Sequence, residues 1–119
     1  MSRALILVDH GSRRAEAHAH LEQLAEQVRS RRPGLAVHVA HLELAQPSIA
    51  AAIDRSVAEG ARELVIHPLF LVPGHHVLED VPARVREALA RHPGVTARIT
   101  GSLGGQSGLA DLILAALDA

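Results

Sequence analysis

The run Ala4-Leu5-Ile6-Leu7-Val8, followed at once by Asp9-His10-Gly11-Ser12, decides the fold. Five consecutive aliphatic residues with no polar alternation read as a strand buried on both faces, as the inner strands of parallel sheets are. Outward from it the pattern changes period. Between residues 14 and 31, Ala17, Leu21, Leu24, Ala25 and Val28 recur at helical spacing with charge opposite, and Pro33-Gly34 stops that helix. Residues 35–44, LAVHVAHLEL, hold a second strand. Pro47 opens a helix with the stripe Ile49, Ala52, Ile53 and Val57, closed by Gly60. The third strand spans 63–72, ELVIHPLFLV; Asp80 then caps a helix to Arg91 that turns Val81, Val85 and Leu89 inward. VTARI (95–99) alternates in part, as an edge strand does, and the last helix turns Leu109, Leu112, Ile113, Ala116 and Leu117 inward.

Strands alternating with helices mean βαβ units. The expected fold is α/β: a four-stranded parallel doubly wound sheet with helices on both faces, in strand order 2-1-3-4. No low-complexity stretch or linker divides the chain, so residues 1–119 form one domain. Apolar residues make up 48% and Phe70 is the lone aromatic, which makes the core aliphatic. A net charge of −1 recruits no nucleic acid, and without Tyr or Trp there is no stacking platform for single strands. With no cysteine, disulfides, thiolate metal sites and cysteine nucleophiles are excluded. No apolar run approaches the ~20 residues needed to span a membrane, and the N-terminus has no signal-peptide pattern. The expected location is the cytoplasm.

The unusual count is nine histidines. In open α/β sheets, ligands bind beyond the carboxyl ends of the strands, near the point where strand order reverses. His10, Gly11, Ser12 and Arg13 follow the first strand, His41 and Glu43 end the second, and His75 and His76 follow the third. Two or three imidazoles and a carboxylate therefore gather over one edge of the sheet. That nitrogen and oxygen set suits Fe(II), Co(II), Ni(II) or Zn(II). Alternation puts His41 and Glu43 on one face, and one of them reaches the rim. The other histidines read as structural: His18 and His20 as solvated surface, His38 and His67 as core or rim groups, and His92 as a helix-end residue meeting the last carbonyls. His10-Gly11-Ser12 does not make a phosphatase site, because Asp9 stands where an arginine is needed and repels phosphate. The segment 101–108, GSLGGQSG, fits neither the dinucleotide fingerprint nor the phosphate loop and reads as a connection.

LILVDHGSR (5–13), HLELAQPSI (41–49) and PLFLVPGHHVLEDVP (68–82) together resemble the sirohydrochlorin chelatases of the CbiX/SirB type, in their short single-domain form. The third motif, Gly-x-His-x-x-x-Asp-Val-Pro, is the most specific. The resemblance implies a chelatase-like, flavodoxin-like half and a metal chelatase that inserts Co(II), Ni(II) or Fe(II) into a modified tetrapyrrole. Neither an organic cofactor nor a resident metal is implied. It carries over His10, His76 and Glu43 as metal-handling and catalytic residues, and selects His76 over His75 by its spacing to Asp80. Ser12 and Arg13, with Arg14, would meet the substrate's peripheral carboxylates. Family members commonly carry a Gly-x-His-Pro-like segment before the last helix; here Leu103-Gly104-Gly105-Gln106-Ser107-Gly108 replaces it, so no substrate contact is assigned to that loop. Longer chelatases have two similar lobes around the site, so a single lobe is expected to form a homodimer. The alternative reading is a non-catalytic carrier of metal or tetrapyrrole. A phosphoryl-transfer or hydrolytic enzyme using His10 comes third.

Overall fold

The computed structural model describes residues 2–119. β1 (Arg3–Asp9) holds the opening aliphatic run and lies between β2 (Ala36–His41) and β3 (Glu63–Pro68), with β4 (Thr96–Ile99) beyond β3. All pairings are parallel and the order is 2-1-3-4, as the alternation of the sequence predicts. Being central, β1 is covered on both sides: Ala4, Ile6 and Val8 have no exposed surface.

Successive strand residues face opposite ways, so β1 feeds two cores. Ala4, Ile6 and Val8, with Ala40, Leu64 and Ile66, pack against α2 (Ile49–Ala58) and α3 (His75–Leu89). On the other face Leu7, Val37 and Val39 meet Leu21 and Ala25 of α1 (Ala15–Arg31). Arg29 fastens α1 to the sheet edge: its Nε and Nη2 donate to the Val37 carbonyl at 3.0 and 2.6 Å, and its guanidinium pairs with Glu22 and Glu26. This also blunts a strand edge that would otherwise be open to pairing. Across the molecule Asp54 of α2 binds both Arg91 and His92 beyond the end of α3, at 2.8 and 2.7 Å. His92 therefore ties two helices together through a carboxylate, and not through the helix-end carbonyls expected of it. That hydrogen bond, then the one from Arg91, holds the Asp54 carboxyl below its ordinary range.

Several boundaries differ from the sequence reading. Ser48, one residue after Pro47, is the N-cap of α2, its Oγ accepting the Ala51 N–H at 3.1 Å. β2 stops at His41 and not at residue 44, and beyond it the Leu42 and Glu43 N–H groups donate to the Asp9 and His10 carbonyls at 2.9 and 3.0 Å. β3 stops at Pro68, which has no N–H to extend the ladder, and β4 ends opposite Ile66. α3 starts at His75, five residues ahead of Asp80, with Gly74 as its N-cap. The buried stripe Val77, Val81, Val85 and Ala88 accounts for this, since it begins one turn before Val81. Burying it outweighs the hydrogen bond that Pro82 removes inside the helix.

The largest departure is α4 (Gly108–Leu117), which buries none of its residues. Leu112, Ile113, Leu114 and Leu117, three of them expected to face inward, are 55–75% exposed. Among the described residues no helix is long and apolar enough to cross a membrane.

Candidate functional site

The carboxyl ends of β1 and β2 are joined closely. The two backbone bonds from Leu42 and Glu43 run beside Gly11, which adopts φ +100°. A Cβ on Gly11 would lie 1.7 Å from the Glu43 carbonyl oxygen, so only glycine lets the two segments touch. The junction brings the side chains of His10 and Glu43 together, His10 Nε2 lying 3.2 Å from Glu43 Oε1. Both are about half exposed, at 48% and 47%. The pair can offer one nitrogen and one or two oxygens to a cation from solvent, with most coordination positions open.

His76 occupies the second position of α3, where its Nε2 lies 2.9 Å from Asp80 Oδ2; His75 pairs in the same manner with Glu79 at 3.0 Å. These are one-turn pairs created by the early start of the helix. Among the described residues no group of three or more histidine, aspartate or glutamate side chains is assembled to hold a metal ion. The structure thus brings His10 to Glu43 and leaves His76 outside that cluster, on the neighbouring loop-to-helix junction.

Ser12 is committed locally: its Oγ accepts the Arg14 N–H at 3.1 Å and shapes the turn into α1. Arg14 pairs with Glu16 at 2.9 Å. Arg13 is exposed and, among the described residues, has no ion pair, so it is the cation beside His10 left free for an anionic group.

His41 is 2% exposed and is not available as a ligand. Register explains why, since His41 pairs with Asp9 across β1 and β2 and both face α1. Asp9 Oδ1 accepts the His41 Nδ1–H at 2.6 Å, and His41 Nε2 shares a proton with His18 Nδ1 at 2.8 Å. The three residues form a line under the His10 loop that the sequence reading missed, and His18 is a member of it and not solvated surface. The available signal was Asp9 and His41 standing at equivalent ends of adjacent strands. On β3, His67 Nδ1 donates to Thr100 Oγ1 at 2.7 Å, and burial pushes this imidazole's pKa down. His38 binds Glu59 at 2.8 Å at the β2 edge. A cavity of about 680 Å³ lies there, lined by His18, Arg29, His38 and Glu59 among others, and includes none of His10, Glu43 or His76.

The same end of the sheet carries unburied aliphatic residues. Leu44, Leu71, Val72 and Leu78 stand on the loops after β2 and β3 and on the first turn of α3, and are 47–89% exposed. Leu44 has φ 69°, unusual for a side-chain-bearing residue. Exposed apolar residues clustered on the loops at one end of a sheet suit contact with an apolar ligand surface.

Comparison with known proteins follows the same lines. The pattern that defines the CbiX family matches residues 4–119. The chain is 38% identical over 109 residues, 92% of its length, to the chloroplastic sirohydrochlorin ferrochelatase of Arabidopsis thaliana, and covers 48% of that protein. It is 35% identical over 79 residues, 66% of its length, to the sirohydrochlorin cobaltochelatase of Methanocaldococcus jannaschii, covering 55% of it. The chain spans about half the length of these curated relatives. Its fold matches a crystal structure described as a cobalamin (vitamin B12) biosynthesis CbiX protein of Marinobacter aquaeolei VT8 with a TM-score of 0.85 and 32% identity, over 98% of this chain and 94% of that one. The chain belongs to the CbiX family.

Proposed function

We propose that this protein is a sirohydrochlorin chelatase, taking a divalent ion and a metal-free modified tetrapyrrole as its two substrates. The observation that carries the reading is the half-exposed His10–Glu43 pair, 3.2 Å apart at the joined ends of β1 and β2. Insertion requires that the ion shed its water, enter one face of the macrocycle and displace two pyrrole protons. His10 and Glu43 hold the ion loosely, with His76 as a third donor from the start of α3. When the ion leaves, the imidazole lone pair and the carboxylate become free bases beside the macrocycle. Each can then take one of the two protons, so delivery and deprotonation are two halves of one exchange. Arg13 meets a peripheral carboxylate of the substrate, and the aliphatic side chains Leu44, Leu71, Val72 and Leu78 lie against the ring.

A carrier that retained its ion would be better served by a closed cage of ligands. The His10–Glu43 pair offers two half-exposed donor groups with the remaining positions open, which suits transfer more than storage. Co(II), Ni(II) and Fe(II) are all compatible with one imidazole and one carboxylate, and the named relatives divide between iron and cobalt. A plate as broad as a tetrapyrrole needs two walls, and one copy supplies one. The working form is therefore a homodimer with the cleft between two copies, located in the cytoplasm. The test is to mix the protein with sirohydrochlorin and Co(II), Ni(II) or Fe(II) and follow the visible spectrum against the spontaneous rate. Acceleration with at least one metal is expected. Ion binding with no acceleration by any metal would replace this reading with the carrier.

A further inference from the structure

The segment between β4 and α4 reads from the sequence as a connection, and in the structure it is a built turn. Leu103–Gly105 form one turn of 3₁₀ helix, in which the Gly105 N–H donates to the Ser102 carbonyl and the Gln106 N–H to the Leu103 carbonyl, both at 3.0 Å. Gln106 also folds its side chain back, Nε2 donating to the Gly101 and Ser102 carbonyls at 2.9 and 3.3 Å. At its start the turn is fastened to β3: the Thr100 N–H donates to the Ile66 carbonyl at 2.9 Å, and His67 Nδ1 to Thr100 Oγ1 at 2.7 Å. A linker that only spanned the gap would need none of these bonds.

The closed turn presses on the loop after β3. The Gly104 N–H donates to the Phe70 carbonyl at 2.9 Å, and a Cβ on Gly104 would overlap the Leu71 carbonyl group. Only glycine permits that approach. Among the described residues, Phe70 to Pro73 make no other hydrogen bond. Phe70 packs against the core, whereas Leu71 and Val72 are 68% and 89% exposed. Two large aliphatic side chains thus stand in solvent on a stretch of backbone whose one polar tie is to Gly104.

We propose that Gly104 is a positioning residue for the tetrapyrrole, acting through Leu71. The turn holds the backbone of Leu71 and Val72 so that their side chains form a fixed apolar wall against one face of the ring. The inference rests on the chelatase reading above and adds to it a residue outside the set that holds the ion. A flat, rigid ligand gains most from a wall already in place, since a mobile one must be ordered at the expense of binding. The ion is held elsewhere, by His10 and Glu43 at the joined ends of β1 and β2 and by His76 on α3. α3 has its own anchor in the buried side chains of Val77 and Val81. The clamp therefore acts on the ring and not on the ion.

The test compares Gly104→Ala, Gln106→Ala and Gly105→Ala with the native sequence, each checked for folding by circular dichroism. Gly105→Ala is the control, because a Cβ there meets nothing within 4 Å. For each, the rate of metal insertion is measured against sirohydrochlorin concentration, and Co(II) affinity is measured with no tetrapyrrole present. Gly104→Ala should raise the KM for sirohydrochlorin about tenfold, the loss expected when two residues must be ordered on binding, and leave kcat and Co(II) affinity within about twofold. Gln106→Ala loosens the turn without a clash and should move KM the same way by a smaller factor. Gly105→Ala should match the native sequence. A native KM in Gly104→Ala, or in Gln106→Ala should Gly104→Ala fail to fold, would overturn the proposal while leaving the chelatase standing. So would a Co(II) affinity that falls as far as KM rises, the mark of a merely structural role. No acceleration by the native sequence with any metal would remove the chelatase reading and this inference with it.

Discussion

At the scale of single residues the site depends on a glycine. Gly11 lets the end of β1 touch the carbonyl of Glu43, and the His10–Glu43 distance follows from that contact. Gly11→Ala adds a methyl group that cannot fit and a backbone angle that alanine rarely adopts. It should destabilise the fold by at least about 2 kcal/mol, read as a lower urea midpoint, and abolish acceleration of metal insertion; unchanged stability would mean that the junction is not tight. His10 and Glu43 were legible in the sequence because topology puts post-strand residues at one edge. The Asp9–His41–His18 line was not. Strand alternation gives the face a side chain takes, but only the register of β1 against β2 and the docking of α1 reveal which residues meet there. His76 was legible as a residue of that edge, yet its contact with Asp80 depends on where α3 begins, and in sequence Asp80 resembles an N-cap.

At the scale of elements, periodicity located the four strands and the four α-helices and misjudged their ends. The start of α3 shows the reason: Pro82 and Asp80 resemble a helix opening, whereas the buried stripe already begins at Val77. Tertiary burial overrode local punctuation. β3 offers a test by pH. Desolvation holds the pKa of His67 below its ordinary 6.5, so the folded chain resists protonation more than the unfolded one does. The stability tied to this group is complete above pH 6.5 and is lost as pH falls through the lowered folded value. The gap in urea midpoint between the native sequence and His67→Gln should therefore shift against the native sequence between pH 7.5 and 5. A gap independent of pH would contradict the assigned cause.

At the scale of the whole molecule, the sheet order and both cores could be read from one chain, and the fate of α4 could not. Its apolar spacing predicts an inward face, yet the helix buries none of its residues. The account as a whole turns on His10 and Glu43 acting as one unit on the ion. The most direct measurement is the rate of metal insertion into sirohydrochlorin for the native sequence, His10→Ala, Glu43→Gln and the double variant, each checked for unchanged folding. Groups that work together lose function together: each single variant should fall by about 10²-fold or more, and the double variant should be little worse than the weaker single one. Full native rate in either single variant would contradict it.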